Sequence, residues 1–509
     1  MCALNDDTTI TTPASASLLG AFWVSVRRFP RLWIGLCCLW AWPWLFAHDL
    51  VFYPAISQVT SIVWWGWVAT FLLLGILLIA FALRLRSSEG SWGNKTVVLA
   101  ASCSMALSTV LFMGVANYVG IEGPLAGLWW LLLLLWPLTA AFGQAILFTG
   151  WGRILGGIGA RNAVFQGIIA TVVGAVATWL MSFLPQLAIE VILVALPLAS
   201  GFLLCKTRLP LSIDGANAGG YRKPPAVPWK LFGTALVMGS AFGMLQSLAL
   251  VGFFDGEAWS AVGVPSFLIA AVLLFASALR FQMDFNRMIY KIGFFAMALG
   301  FLLVFIGGSE NLLGYAVLCT GYRYCDLLLW GLCAYLINRR GYGSSWVIGM
   351  CMGPLLLGRF CGFSVVTFLS LAQPARDFLS EAVVVMAFVL LAAALFAESH
   401  NNLVEAWGIE RFGGEDEDSR ILELASAAVS EEHGLSPRES EILGYLGQGL
   451  TRKEISAKLV LSEETVKTHM QHIYEKCGVH SRRDLLMLIE HEASRLKAGN
   501  ADDTPDEVI

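Results

Sequence analysis

Long apolar runs, each about the length needed to cross a hydrocarbon core some 30 Å thick, dominate the first 400 residues. They are read as twelve spans near 32–50, 60–83, 96–118, 125–149, 162–183, 187–206, 229–252, 259–281, 289–307, 312–337, 345–371 and 379–397. Backbone polar groups in lipid must be bonded within the segment, so the runs predict helices and not open strands. After Glu398 the pattern changes. Charge becomes dense, and apolar residues return only at helical spacing: Ile442, Leu443, Leu446, Ile455, Leu459, Val466, Ile473, Val479, Leu485 and Leu486. The fold class expected is all-α: a polytopic bundle of twelve membrane helices, then a small four-helix domain.

Composition sharpens this division. Of 509 residues, 57% are hydrophobic and 14% charged, with a mean hydropathy of +0.69, which excludes an ordinary soluble globular protein. The first apolar stretch is expected to remain as a span, because Asp6 and Asp7 stand where a signal peptide would carry basic residues. Basic residues fall on alternate loops, among them Arg84, Arg86, Arg153, Arg161, Arg339 and Arg340, whereas the opposite loops hold Arg376 alone. Asp49, Glu122, Asp255, Glu257 and Glu310 lie on that opposite side. This positive-inside bias places both ends of the chain in the cytoplasm of a cell whose inner membrane holds the bundle.

The expected organisation is a cytoplasmic segment 1–31, a membrane domain 32–397, an acidic linker 398–432, a compact domain 433–493 and a polar tail 494–509. A Gly- and Pro-rich cytoplasmic loop, 207–228, divides the membrane domain into halves 32–206 and 229–397. Two six-span halves around such a loop resemble the major facilitator architecture. The loop after the second span lacks that family's usual Gly-x-x-x-Asp-Arg-x-Gly signature. Within the linker, Ile421–Val429 has the makings of a short helix.

Each helix of the C-terminal domain has its own start signal. Ser436-Pro-Arg-Glu439 and Thr451-Arg-Lys-Glu454 are capping boxes, Ser462 precedes a third helix and Ser481 a fourth, with breaks at Gly449 and Gly478. Together with Leu461-Ser-Glu-Glu-Thr-Val-Lys-Thr-His469, the stretch resembles a LuxR/FixJ-type helix-turn-helix. Ser456 and Cys477 stand where that family often has Ala and Leu. The resemblance implies that the third helix enters the major groove of double-stranded promoter DNA. Lys467, Thr468 and Gln471 are then expected at base edges, and Lys453, Thr465, His469 and Lys476 at phosphates. It also implies a homodimer on paired half-sites, and contact with RNA polymerase if the protein activates.

Charges deep in spans are costly and therefore informative. Arg323 and Asp326 share a face of the tenth span, and Arg359 lies mid-way along the eleventh. Either they bind an unknown small, anionic molecule, helped by Gln144, Gln246 and aromatic residues, or they form a structural ion-pair network joining the two spans. The 11 cysteines are scattered, mostly in apolar runs, with no ligand spacing, so neither a metal nor a disulfide framework is expected. No phosphate loop, nucleophile triad or catalytic carboxylate pair is found, so no cofactor and no enzymatic activity are expected. The function expected is a membrane-bound, one-component transcriptional regulator that senses a small molecule or a membrane state through its spans and binds promoter DNA through its C-terminal domain. The rival is a secondary transporter with an attached DNA-binding regulatory domain.

Overall fold

The computed structural model describes residues 18–52, 60–85, 94–118, 126–181, 183–207, 229–250, 256–281, 285–307, 312–340, 342–372, 376–397, 415–447, 452–459, 461–479, 484–489, 491, 492 and 495. The chain divides into two compact units, Met1–Glu410 and Arg411–Ile509.

The first unit opens with an amphipathic helix, α1 (Leu18–Arg28), in the segment expected to precede the spans. Its Phe22 and Val26 are buried, and Gln166 donates from Nε2 to the Ser25 carbonyl at 2.9 Å. Trp23 and Val24 on its other face are exposed.

Among the described residues twelve longer helices follow, at the places where twelve spans were expected. They are α2 (Pro30–Phe52), α3 (Thr60–Arg84), α4 (Lys95–Tyr118), α5 (Ala126–Ile158), α6 (Ala160–Met181), α7 (Gln186–Lys206), α8 (Trp229–Leu250), α9 (Gly256–Phe281), α10, α11 (Leu312–Arg340), α12 (Ser344–Ala372) and α13 (Arg376–Ala397). Helix α10 runs through Phe285–Arg287 and Phe295–Gly307, with a π-helical stretch at Met288–Phe294 between them. Among the described residues, eight helices are long and apolar enough to cross a membrane by length and composition. The described parts of α9 and α13 give shorter apolar helices, Val262–Ala278 and Ser380–Leu395. Arg323 and Asp326 interrupt the apolar character of α11.

Helix α5 extends nine residues past its expected end. Its last turns are buried by protein: Trp151 is fully buried and donates from Nε1 to Ser200 Oγ at 3.0 Å, while Ser200 Oγ donates to the Gly35 carbonyl at 2.9 Å. Such bonds tie α2, α5 and α7 where hydrophobicity gives helices no reason to associate.

The second half packs through glycine. Helices α8 and α12 lie side by side, with Gly239 and Gly243 on one facing Gly358 and Gly362 on the other. A Cβ at any of the four would collide with carbonyl oxygens of the opposite backbone, at Leu355, Arg359, Leu236 and Ser240 respectively. Two small-xxx-small pairs thus bring the helices into backbone contact. Across the halves, α3 packs on α12, and α6 on both α9 and α11.

In the second unit, α14 (Glu415–Glu432), α15 (Pro437–Gly447), α16 (Arg452–Leu459) and α17 (Glu463–Cys477) precede a helical segment at 484–489. Their core is Ala425, Val429, Ile442, Leu443, Leu446, Ile455, Val466, Met470, Ile473, Cys477, Leu485 and Ile489. The core therefore reaches back into the acidic stretch expected to be a linker, because Ala425 and Val429 stand one turn apart on α14 and turn inward together.

Candidate functional site

Two sites, one in each unit, gather the residues of interest. In the C-terminal unit the first expected capping box fixes the start of α15, whereas Thr451 of the second lies outside the described residues. Ser436 N donates to Glu439 Oε2 at 2.7 Å, and Glu439 N donates back to Ser436 Oγ at 3.4 Å, reciprocally satisfying two backbone donors. Arg438 pairs with Glu441 at 2.6 Å and donates to the Leu459 carbonyl at 3.1 Å, so α15 closes the end of α16. Helix α17 starts where Ser462 Oγ accepts from Thr465 N at 3.0 Å and stops at Gly478, whose φ of 65° is left-handed.

Helix α17 has two distinct faces. Val466, Met470, Ile473 and Cys477 are buried, whereas Lys467, Thr468, Gln471 and His472 are exposed. The three residues expected at base edges thus share the open side. Lys467 Nζ bonds Glu464 Oε1 at 2.7 Å, and Thr468 Oγ1 donates to the Glu464 carbonyl at 3.0 Å. His469 is half-buried at the margin of that face, and Thr465 is exposed but engaged with the Ser462 hydroxyl at 2.7 Å. Lys453 stands on α16; its side chain lies outside the described residues.

Lys476 is drawn into the domain. Its ammonium donates to Glu439 Oε2 at 2.7 Å, linking α17 to α15. The Lys476 ammonium, with the Ser436 N–H behind it, holds the Glu439 carboxyl down at about 2. Cys477 is buried, and desolvation raises its thiol above the usual range, so it behaves as a core hydrophobe and not as a reactive thiolate.

The bundle holds a cavity of about 120 Å³ lined by residues of both halves. Arg323, Asp326, Arg359 and Gln246 all line it. Gln144 is buried on α5 but is not among the lining residues; Phe148, one turn further on, is. The two arginines are held differently. Arg323 Nη1 bonds Asp326 Oδ2 at 2.6 Å, and Nη2 donates to Thr171 Oγ1 on α6 at 2.6 Å. Its guanidinium carbon also lies 4.6 Å from the centre of the Trp40 ring and 5.2 Å from that of Phe267. Arg359 has no carboxylate partner among the described residues. Nη2 donates to the neutral Gln246 Oε1 at 3.0 Å, and its carbon sits 4.0 Å over Phe71 and 5.0 Å over Phe242. Phe242 in turn stacks on Tyr322, centroids 3.7 Å apart at 9°. Cation–π contact stabilises a desolvated cation by roughly 2 kcal/mol, less than the roughly 3–5 kcal/mol lost when a buried ion pair is left without one partner. Sequence reasoning missed Thr171, Trp40 and Tyr322, which line the cavity, and Phe71, which lies against Arg359; none carries a charge to mark it.

Among the described residues no group of His, Cys, Asp or Glu could hold a metal ion.

Residues 433–489 match the family described as bacterial regulatory proteins, luxR family. The Fimbriae Z protein of Escherichia coli (strain K12) is 52% identical over 52 residues, covering 10% of this chain and 25% of that protein. The probable HTH-type transcriptional regulator GfsR of Streptomyces halstedii is 45% identical over 53 residues, covering 10% and 22%. This chain therefore spans about a quarter of the length of these relatives. Among solved structures, a bacterial homologue of the iron transporter ferroportin, in an outward-facing state with soaked iron, aligns with a TM-score of 0.51 at 15% identity. The alignment covers 72% of this chain and 96% of that one. The human organic anion transporter MFSD10 (TETRAN) aligns at 0.50 and 14% identity, covering 74% and 99%. The chain thus joins a helical membrane bundle of the major facilitator fold to a C-terminal regulatory domain of the luxR type.

Proposed function

We propose that the chain is a membrane-embedded, one-component transcriptional regulator. Its bundle, 32–397, responds to a small molecule, and its C-terminal domain binds promoter DNA as a homodimer. The observation that carries this reading is the open face of α17. Lys467, Thr468 and Gln471 are exposed together on a capped helix of a luxR-type domain, in a chain whose other unit is a membrane bundle. Lys and Gln can donate to the acceptor edges of guanine and adenine, and a capped helix holds them in fixed register. Lys453, Thr465 and His469 would touch phosphates, and Lys476 would do so only with the donors left free by Glu439. An activator would further contact RNA polymerase. The charge asymmetry of the loops orients both ends of the chain toward the cytoplasm of a bacterial cell, where DNA is accessible. Neither unit is read as enzymatic.

A second reading, an active secondary transporter with an attached regulatory domain, is favoured by the two transporters of the same fold and by the charged cavity. One comparison separates them. Genome-wide occupancy is mapped for the intact protein and for a Lys467→Ala, Gln471→Ala variant, with solute uptake measured in the same cells. Discrete sites that the variant loses, with altered neighbouring genes and no concentrative uptake, support the regulator. Uptake driven by an ion gradient, without discrete sites, refutes it.

A further inference from the structure

We propose that the bundle's cavity binds a small single-ring organic monoanion, with Arg359 holding its carboxylate. The inference rests on the reading that the bundle responds to a small molecule and names that molecule's class.

Charge, size and lining each narrow the class. The charged lining residues are Arg323, Asp326 and Arg359. Arg323 and Asp326 satisfy one another at 2.6 Å, and both are buried. Arg359 is left as the uncompensated charge. Its Nη2 is bonded to a neutral amide oxygen where Arg323 has a carboxylate; its Nε, like that of Arg323, is shielded from solvent and has no acceptor. A buried polar atom without a partner costs free energy, and a guanidinium presents its donors in a planar fork matched to a carboxylate. One anionic charge neutralises the cavity; a dianion would leave a net negative charge in low dielectric, and a cation would add to the positive one. The volume, about 120 Å³, compares with the roughly 150 Å³ apolar cavity that admits benzene, which limits the occupant to about one ring. The walls suit a flat apolar body: Trp40, Phe148, Phe242, Phe267, Tyr322 and Trp330 all face the cavity. Arg323 is also bound to Thr171 on α6, so it is already committed to joining the halves. Arg359, on α12, is the guanidinium without a carboxylate contact among the described residues.

The test uses the full chain in lipid nanodiscs and radiolabelled benzoate as probe. Benzoate is expected to bind saturably, with phenylacetate competing. Benzamide and benzylammonium, of similar shape but neutral and cationic, should compete at least about tenfold less well, the loss expected when a charge-assisted hydrogen bond is removed. Arg359→Gln should weaken benzoate by a similar factor, and Arg359→Lys by less. The ligand charge series needs no variant, so it decides the matter even if Arg359→Gln fails to fold. Absence of saturable benzoate binding, or equal competition by benzamide, overturns the proposal. Promoter occupancy is read separately: occupancy without benzoate binding sinks only this inference, and benzoate binding without occupancy sinks only the regulator.

Discussion

Glu439→Gln is expected to destabilise the C-terminal domain by about 1–2 kcal/mol at neutral pH and to flatten its response to acid. The side chain is 6% exposed and accepts two bonds at 2.7 Å, from Ser436 N and from Lys476 Nζ. Gln keeps an acceptor for Ser436, as capping boxes allow, but removes the charge that Lys476 faces. The native carboxyl lies at about 2 instead of 4.5, chiefly through Lys476. At ~1.4 kcal/mol per tenfold change, that difference corresponds to roughly 3 kcal/mol as an upper bound. Lys476 is 40% exposed, so solvent screens the pair and about half of that is expected to survive. The sign follows from the depressed folded value. The stabilisation is fully present above the unfolded value near 4.5 and is lost as pH falls toward 2. The assay is urea unfolding of residues 411–509, which form a compact unit with their own core, at pH 7 and pH 3. The native domain should lose more than half of its advantage over the variant between those two values, the remainder going only as pH falls toward 2. Equal midpoints at pH 7, or an undiminished gap at pH 3, would refute the account of the brace.

Three further predictions concern packing, capping and readout. Gly243→Ala and Gly362→Ala should each destabilise the bundle by about 1–3 kcal/mol or more, because the new Cβ meets a backbone carbonyl, whereas Gly233→Ala, which faces open space, should be neutral or stabilising; thermal melting of the solubilised chain reads the contrast. Ser462→Ala should cost the C-terminal domain about 1 kcal/mol by leaving Thr465 N without its acceptor, visible in the same urea titration. Lys467→Ala should weaken specific DNA binding by roughly 1–3 kcal/mol, while Lys453→Ala weakens binding to all sequences and lowers the salt slope; equal, salt-independent losses would contradict both assignments.

The helices were legible in the sequence because lipid leaves the backbone no alternative. A run such as Thr60–Arg84 has no other way to satisfy its donors and acceptors. What escaped were elements whose partner is protein. Helix α1 is too short for a span, and its signal is the pairing of Phe22 and Val26 one turn apart beside Arg27 and Arg28. Of helix α14 a short stretch, Ile421–Val429, was expected; its start in Glu415-Asp-Glu-Asp, which reads as solvated linker, and the burial of Ala425 and Val429 in the core were not. In the cavity the charged residues announced themselves by being costly, and Gln246 does meet Arg359. Gln144 is buried on α5 one turn before Phe148, which lines the cavity as Gln144 does not. A single sequence shows that a residue is polar, but not which way its helix is rotated. Lys476 illustrates the same limit: its spacing fits a phosphate contact, yet Glu439, 37 positions earlier in the chain, claims its ammonium.

The cavity's attachments also set how strong a signal an anion could supply. Both guanidiniums reach from the second half into the first, Arg323 to Thr171 and Arg359 over Phe71. An anion seated on Arg359 therefore acts at the junction of the halves. It shifts their arrangement only by binding one arrangement better than the other. Giving a carboxylate partner to a half-buried charge that otherwise meets only a neutral amide and ring faces is worth at most about 3–5 kcal/mol, whereas moving a two-state equilibrium from 1:99 to 99:1 takes about 5.5 kcal/mol. Charge alone thus falls short of a full switch, and ring contacts with Phe242, Tyr322 and Trp330 must supply the rest. Acetate, which carries the charge without the ring, is expected to reach Arg359 and evoke at most a partial transcriptional response at saturation, where benzoate or a similar ring acid evokes the full one. A reporter driven by a promoter the protein occupies would read the difference. An equal maximal response to acetate would show that the aromatic walls only shape the cavity and take no part in switching it.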